Sequence, residues 1–295
     1  MSLKIVVLAK QVPGTRNVGK DAMKADGTIN RAALPAIFNP EDLNALEQAL
    51  RLKDAHPGST VTILTMGPGR AAEVIREGLF RGADNGYLLT DRAFAGADTL
   101  ATSYALATAI RKIGEYDIIL GGRQAIDGDT AQVGPQVAEK LGLTQITYAE
   151  EILEVADGRI KVKRHIDGGV ETVEGPLPIV ITVNGSAAPC RPRNAKLVQK
   201  YKRALGGQEK AALTKEGGEL PYAHLYEKYP YLNIVEWSVA DVDGDLAQCG
   251  LSGSPTKVKT IENISFQAKE SKTLTGSDKD VEDLIVELLA NHTIG

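Results

Sequence analysis

Alternation of strands and helices from the N-terminus to Gly142 constrains the fold more than any other feature. Apolar runs of strand length occur at 3–9, 61–65, 86–89 and 117–121, and a helical pattern of apolar residues follows each of them along the chain. A strand followed by a helix favours parallel pairing, because the helix supplies the crossover that parallel strands need. The alternation predicts an α/β fold with a mostly parallel sheet and helices on both faces.

The stretch from 117 to 142 combines a strand, a glycine pair and a helix. The strand ends at Gly121-Gly122, a polar loop containing Asp127-Gly128-Asp129 follows, and a helical pattern begins at Val133. Glycines let the backbone approach a ligand closely, and a helix N-terminus offers N–H groups to an anion. We therefore expect this loop to hold a nucleotide phosphate or ribose. In the structural alternative, the two acids only cap the helix and the glycines only turn the chain.

Three other loops follow strands of the same set. Residues 9–13 follow the first strand, and Met66-Gly67-Pro68-Gly69 follows the second. Asn39-Pro40-Glu41-Asp42 has the composition of a helix start, with Asn39 as N-cap, Pro40 at the first helical position and two acids that complement the helix dipole. Loops at the carboxyl ends of parallel strands gather at one edge of the sheet, so we expect a shared ligand site there.

From about residue 145 the pattern changes to period two. Short strands at 151–155, 159–164 and 170–173 are joined by Asp157-Gly158 and by Asp167-Gly168-Gly169, which is hairpin chemistry. A buried strand returns at 178–183. We predict an antiparallel hairpin addition to the main sheet, and a nucleotide-binding α/β domain over residues 1–185.

The chain beyond this domain has a different character. Residues 186–210 form a basic segment, and residues 211–295 are rich in glycine and turn residues until a final periodic helix at 281–289. A segment with little core of its own is expected to wrap around another protein. We predict a basic recognition segment at 186–210 and an extended C-terminal arm at 211–295 that wraps a partner subunit.

Composition excludes several function classes. The net charge of −4 provides no electrostatic reason to bind nucleic acid, and no apolar run is long enough to insert into a membrane. Cys190 and Cys249 form no metal-ligand or redox pair, which with the absence of a signal-peptide pattern indicates the cytoplasm or an organelle matrix. The histidines are scattered and form no nucleophile or metal motif, so we expect no catalytic or metal-ligating side chains.

Several motifs in the same order resemble the β subunit of electron transfer flavoproteins over nearly the whole chain. They are Val6 to Pro13, Asn39 to Asp42, Gly82-Ala83-Asp84, Gly122 to Gln132, Arg164 to Thr172, and Gly253-Ser254-Pro255-Thr256-Lys257-Val258. The resemblance implies a Rossmann-like, adenine-nucleotide-binding fold and an obligate heterodimer with an electron transfer flavoprotein α subunit that holds an FAD of its own.

The resemblance also implies the residues that contact the nucleotide, which is AMP in most members and FAD in the electron-bifurcating branch. Carried over by position, they are Ala9, Asn39, Pro40, Glu41, Asp42, Met66, Gly122, Arg123, Gln124, Ala125, Ile126, Asp127, Gly128, Asp129, Thr130, Ala131, Gln132 and Val133.

Two segments look more like the bifurcating branch than the AMP-only branch. They are Asp127-Gly128-Asp129-Thr130, where AMP-only members tend to carry three acids in a row, and Val12-Pro13-Gly14-Thr15. Resemblance to the bifurcating branch implies FAD in the site and NADH as electron donor. It also implies ferredoxin or flavodoxin as one acceptor and an acyl-CoA-type dehydrogenase as the other. The chain would oxidise NADH only if it belongs to the bifurcating branch. In the alternative, a structural AMP fills the site and electrons come from acyl-CoA dehydrogenases.

Family members bind their partner dehydrogenase through a loop with a leucine anchor, which aligns here at about 187–200 with a small gap. We expect partner contacts from His165, Arg191, Arg193 and Leu197. An alternative of another class is a stand-alone ATP-binding module of the universal-stress-protein type, which shares the fold. It predicts a homodimer that binds ATP and does not account for the basic segment.

Overall fold

A nine-stranded sheet organises the molecule. The computed structural model describes residues 1–14, 35–215, 217–256, 271, 273–291 and 294. Thr15, Lys257 and Val258, named above for their resemblance to family motifs, lie outside the described residues.

The strands and helices are numbered here in chain order. The strands are Lys4–Leu8 (β1), Gln11–Pro13 (β2), Ala36–Phe38 (β3), Thr60–Met66 (β4), Asn85–Leu89 (β5), Ile118–Gly122 (β6), Thr144–Ala156 (β7), Arg159–Ile166 (β8), Gly169–Pro176 (β9), Ile179–Val183 (β10) and Val235–Trp237 (β11). The helices are Pro40–Ala55 (α1), Ala72–Arg81 (α2), Thr99–Ile113 (α3), Val133–Leu141 (α4), Ala195–Tyr201 (α5), Gly207–Leu213 (α6), Ala223–Lys228 (α7) and Asp278–Ala290 (α8).

The order of strands across the sheet places a switch point beside β1. The order is β11-β5-β4-β1-β6-β10-β7-β8-β9, and every pair from β11 through β10 to the start of β7 is parallel. The chain moves from β1 through β4 to β5 on one side, and then returns to lay β6 on the other side of β1. Ligands of open α/β sheets bind where the strand order reverses in this way, at the carboxyl ends of the strands.

Helices cover both faces of the sheet, which confirms the predicted fold class. Alternate residues of β1 divide the core: Ile5 and Val7 belong to a cluster with α1 and α2, whereas Val6 and Leu8 belong to a cluster with α3 and α4. This division follows from the strand geometry, because successive side chains point to opposite faces. The continuous apolar sequence of the central strands is therefore buried on both sides.

The antiparallel addition is present, but its first strand is longer than predicted. β7 begins at Thr144, where its first residues pair in parallel with β10, and its later residues pair antiparallel with β8. β8 and β9 complete the meander. The pairing of β7 changes at a bulge between Ile181 and Val183 of β10, which a period-two pattern does not reveal.

The expectation that the chain beyond 184 builds little core is wrong for residues 195–249. Tyr201, Ala204 and Leu232 are buried in the cluster with α1 and α2, and Val242 and Cys249 are buried in the cluster with α3 and α4. β11 joins the main sheet beside β5. Sequence patterns missed this because the elements are short and each buries only one or two residues. The contact of residues 211–295 with a partner subunit stays a prediction.

The described helices include none that combines the length and the apolar character needed to cross a membrane.

Candidate functional site

The loops predicted to gather at one edge of the sheet do meet in the structure. Lys10, after β1, donates hydrogen bonds of 2.7 and 2.9 Å from its ammonium to the carboxylate of Asp127 in the loop after β6. The Gln11 amide donates to the Arg70 carbonyl oxygen, after β4, at 3.2 Å. These contacts surround the switch point between β1 and β6, and we call the space between the loops after β1 and β6 the crevice.

Asp42, at the third position of α1, is a buried carboxylate at the base of the crevice. Its Oδ2 accepts the Lys10 backbone N–H at 2.8 Å and its Oδ1 accepts the Gly122 backbone N–H at 2.9 Å. Burial raises the pKa of this carboxyl group to about 7, although the hydrogen bonds from Lys10, Asn39 and Gly122 oppose the shift.

Asn39 precedes α1 as predicted, but its side chain does not cap the helix. The Nδ2 group donates to the Gln124 carbonyl oxygen at 2.9 Å, and Oδ1 accepts the Ile126 N–H at 3.2 Å. The side chain therefore holds the loop after β6. Cap statistics could not show this, because the competing partners belong to a loop that is distant in sequence.

Glu41 holds the start of the same loop through a charged pair. Its carboxylate accepts the Gln124 backbone N–H at 3.0 Å and lies 2.9 Å from the Arg123 guanidinium, which is also 5.5 Å from the centre of the Tyr148 ring. Both partners of the pair are largely buried, with side-chain exposures of 26% for Arg123 and 13% for Glu41. The hydrogen bond from Glu41 raises the pKa of Arg123 further, so its charge persists.

Neither acid of the Asp127-Gly128-Asp129 loop caps the following helix. Asp127 is held by Lys10, and Asp129 accepts a 2.8 Å hydrogen bond from the Gln124 amide. Gln132 occupies the N-cap position of α4 without a side-chain cap bond. The part of the structural alternative in which the two acids cap the helix is therefore wrong, and a ligand role for the loop stays a prediction.

Backbone donors collect where the loop enters α4. Within the part of the chain that the structure describes, the N–H groups of Thr130, Ala131, Gln132, Val133 and Gly134 donate to no protein atom. Asp129 and Ala131 have φ values of +49° and +51°, in the left-handed region that residues with a side chain rarely adopt. A strained loop with free donors at a helix N-terminus has the chemistry to hold a phosphate.

The other predicted contact residues lie on the same loops. Ala9 follows β1 and is buried, Met66 ends β4 and is partly exposed, and Ala125 and Val133 flank the strained loop. Gly128 is exposed, and a Cβ atom there would meet no atom within 4 Å. The structure thus brings all the predicted nucleotide residues to one edge of the sheet.

The four residues expected to contact a partner occupy two other regions. Arg191 lies 3.0 Å from Glu47 and 2.8 Å from Asp54 of α1, and Arg193 lies 2.6 Å from Glu77 of α2. Leu197 is partly buried against the core cluster of α1 and α2. His165 is exposed on β8, with Nδ1 3.4 Å from Glu150. Their role toward a partner stays a prediction.

Sequence reasoning missed one residue in the crevice, Lys10, and one on the helix beside it, Gln136. Lys10 was part of a strand motif, yet its ammonium reaches across the crevice to Asp127. Gln136, in the first turn of α4, has a buried Oε1 atom without a hydrogen-bond partner among the described residues. A lysine directly after a central strand could have suggested the first contact. No local signal indicates the second.

A separate cavity of about 340 Å³ opens on the face covered by α3 and α4. It is lined by Leu100, Tyr104, Lys140, Ala247, Gln248, Ser252, Gly253, Ser254 and Pro255. The crevice differs from this cavity in that the switch point, the strained loop and the free donors coincide there. No cluster of three or more metal-ligating side chains occurs among the described residues.

Comparison with known proteins identifies the family of the chain. Residues 26–211 match the model of the electron transfer flavoprotein domain. The chain is 42% identical to the electron transfer flavoprotein subunit beta of Clostridium acetobutylicum, over 87% of this chain and 86% of the relative. It is 41% identical to subunit CarD of the caffeyl-CoA reductase-Etf complex of Acetobacterium woodii, over 99% and 100% of the two chains. It is also 40% identical, over 99% and 100%, to the acryloyl-CoA reductase electron transfer subunit gamma of Anaerotignum propionicum. The chain therefore belongs to the electron transfer flavoprotein family, as a member of the β-subunit type.

Proposed function

We propose that the crevice binds the adenine-nucleotide part of an FAD, and that the chain works as the β subunit of an electron-bifurcating electron transfer flavoprotein. The supporting observation is the set of free N–H groups at 130–134, which lies at the switch point where a diphosphate of a dinucleotide is expected. The exposed position of Gly128, with open space around it, suits a ligand larger than AMP.

The residues of the crevice would bind and orient the cofactor without taking part in proton transfer. Backbone N–H groups at 130–134 would donate hydrogen bonds to the phosphates, and the Glu41–Arg123 pair would hold the start of the loop. Lys10 is bonded to Asp127, so its ammonium could turn toward a phosphate only by leaving that carboxylate. The flavin supplies the redox chemistry when bound, and the protein supplies position and electrostatics.

We infer the partners from the family and from the names of relatives. Membership gives the chain a role in electron transfer with flavoprotein partners, among them an α subunit. Two relatives are named for complexes that reduce caffeyl-CoA and acryloyl-CoA, which supports a flavin dehydrogenase or reductase of acyl-CoA type as one acceptor. We propose NADH as the donor and ferredoxin or flavodoxin as the second acceptor. Family membership disfavours a stand-alone ATP-binding module of the universal-stress type.

Cofactor analysis of the purified heterodimer tests the proposal. We expect the chain, co-expressed with its α subunit, to yield two FAD molecules per heterodimer after denaturation, and NADH to bleach the flavin absorbance. One FAD and one AMP per heterodimer would contradict bifurcation and leave the non-bifurcating alternative. A heterodimer with no nucleotide beyond the FAD of the α subunit would contradict any nucleotide in this crevice.

A further inference from the structure

One carboxylate joins both walls of the crevice. Asp42 accepts the N–H of Lys10, which follows β1, at 2.8 Å, and the N–H of Gly122, which ends β6, at 2.9 Å. The two strands flank the switch point. Because each oxygen of the carboxylate bonds a different strand, any shift of one strand end relative to the other lengthens one of the bonds.

Asn39 repeats this bridging with its backbone and its side chain. The Asn39 N–H donates to the Lys10 carbonyl oxygen at 3.0 Å, on the β1 wall. The side chain bonds Gln124 and Ile126 of the other wall at 2.9 and 3.2 Å. Asn39 and Asp42 thus connect the same two loops through five hydrogen bonds to backbone atoms.

Neither side chain is accessible to a ligand. Asn39 is 0% exposed and Asp42 is 7% exposed. A Cβ atom at Gly122 would lie 2.5 Å from the Asp42 Oδ1 atom, so the strand end is packed directly against the carboxylate. The polar atoms of both side chains bond backbone groups of the two loops and, between Asn39 and Asp42, each other.

We propose that Asn39 and Asp42 are positioning residues, whose side chains set the separation of the crevice walls and do not themselves contact the nucleotide. This inference rests on the proposed nucleotide site. The proposed role differs from the one that the family resemblance implies, in which both residues contact the nucleotide directly.

The bridge requires the charged form of Asp42. A carboxylate accepts both N–H groups, whereas a protonated carboxyl group has a hydrogen on one oxygen and loses one acceptor. The charged groups around it are Glu41 on the same helix, Lys10 after β1, and Arg123 and Asp127 after β6. Arg123 is paired with Glu41 and Lys10 with Asp127, so no free cation stabilises the carboxylate among the described residues. Burial raises the pKa of Asp42 to about 7, so the change between its charged and protonated forms falls within an accessible pH range.

The test compares Asp42→Asn with a matched control, Asp84→Asn. Asp84 also accepts a backbone N–H, that of Val61 at 2.8 Å, but at the amino-terminal edge of the sheet. The full chain is purified with its α subunit and depleted of nucleotide, and ADP binding is measured by calorimetry from pH 6 to pH 8.5. We expect Asp42→Asn to bind ADP about tenfold more weakly at pH 8, the factor that corresponds to one lost charge-assisted hydrogen bond. Asp84→Asn should bind ADP like the wild type.

The pH profile separates positioning from a general loss of folding. The ionisation of ADP changes with pH in the same way for every variant. The ratio of wild-type to Asp42→Asn affinity therefore reports only the effect of Asp42. This ratio should increase from pH 6 to pH 8 and then level off. A ratio that stays constant across this range overturns the role of the charged bridge.

A second ligand separates positioning from contact. If the Asp42 carboxylate accepted a ribose hydroxyl, the compound that lacks this hydroxyl, 2′-deoxy-ADP or 3′-deoxy-ADP, would lose a larger factor in the wild type than in Asp42→Asn, because a neutral amide is a weaker acceptor than a carboxylate. We expect each deoxy compound to lose the same factor in both proteins, and an unequal loss overturns the inference. Asn39→Ala, which leaves Asp42 in place, should also weaken ADP binding about tenfold with equal deoxy factors, and it decides the question if Asp42→Asn does not fold. Wild-type protein that binds no ADP would instead contradict the proposed site.

Discussion

Asp42 is a carboxyl group in a buried position, where its charged form is unfavourable. Its oxygens accept two backbone N–H groups, yet burial is the dominant influence and raises its pKa to about 7. Such a group favours the folded state most when it is protonated, because only the charged form suffers from burial. We interpret this as stability given up for geometry at the proposed nucleotide site, as is common where function requires strained or buried polar groups.

The contribution of Asp42 to the stability of the protein should therefore decrease as pH rises toward 7. The folded-state pKa of about 7 lies above the ordinary value of 3.8, so the folded protein binds the proton more tightly than the unfolded chain. The contribution is fully present below pH 4 and is lost as pH rises through 7, and the shift corresponds to at most about 4 kcal/mol. Urea unfolding at pH 5, 6, 7 and 8 should show a slope in the wild type that is reduced in Asp42→Asn. Equal slopes in the two proteins would contradict the raised pKa.

Residue types at the site could be predicted from sequence, but their partners could not. Asn39, Asp42 and the loop from Gly122 were identified from local patterns and family motifs. That Asn39 bonds Gln124 and Ile126 in place of the helix N-terminus depends on a contact between distant parts of the chain. Local propensity contains no information about such a competitor.

Among the elements, α4 approaches the sheet closely at its first turn. Gly134 lies beside Thr182 of β10, and a Cβ atom at this glycine would be 2.3 Å from the Thr182 Cγ2 atom. The absence of a side chain thus lets the helix N-terminus reach the edge of the crevice. By contrast, Gly128 of the preceding loop has open space around it.

Gly134→Ala should displace α4 and destabilise the protein by about 1–3 kcal/mol, the usual cost of overpacking. Thr182→Ser removes the Cγ2 methyl group and keeps the hydroxyl that accepts the Tyr148 N–H, so the double variant should recover most of the loss. Gly128→Ala is the control and should stay within about 0.5 kcal/mol of the wild type. Denaturant unfolding compares the wild type, the three single variants and the double variant. Additive losses in the double variant would show that Thr182 is not the obstacle.

Prediction of elements succeeded where they are long and periodic. The four central strands predicted at 3–9, 61–65, 86–89 and 117–121 lie within about two residues of those positions, and a helix follows each of them along the chain as expected. β11 is short and is held by pairing with β5 and by the stack of Trp237 on Tyr87, with ring centres 4.0 Å apart. A segment stabilised by such distant contacts has no pattern of its own to detect.

At the scale of the molecule, α8 retains an apolar face in solvent. Val281, Ile285, Val286 and Leu289 are each 45% to 58% exposed. A cluster of apolar residues exposed on one helix indicates a surface that another protein covers. Family membership implies that the covering protein is the α subunit.

Charges on this face should break the heterodimer. We expect Ile285→Asp with Leu289→Asp to reduce co-purification of a tagged α subunit by about tenfold or more, because the charges would have to be desolvated at the interface. Glu282→Gln, an exposed position of the same helix, should co-purify normally. The chain expressed alone should be prone to aggregate. Undiminished co-purification of the double variant would exclude α8 from the interface.

The sequence by itself determined the α/β class, the order of the main strands and helices, the family and the edge of the sheet where the predicted loops meet. Those features depend on local periodicity and on motifs that lie within a few residues of one another. Only the tertiary structure decided that β6 returns beside β1, that residues 195–249 complete the core, and that Asn39 and Asp42 join the two walls of the crevice. These features depend on contacts between distant parts of the chain, and the free energies of such contacts cannot be inferred from any single segment.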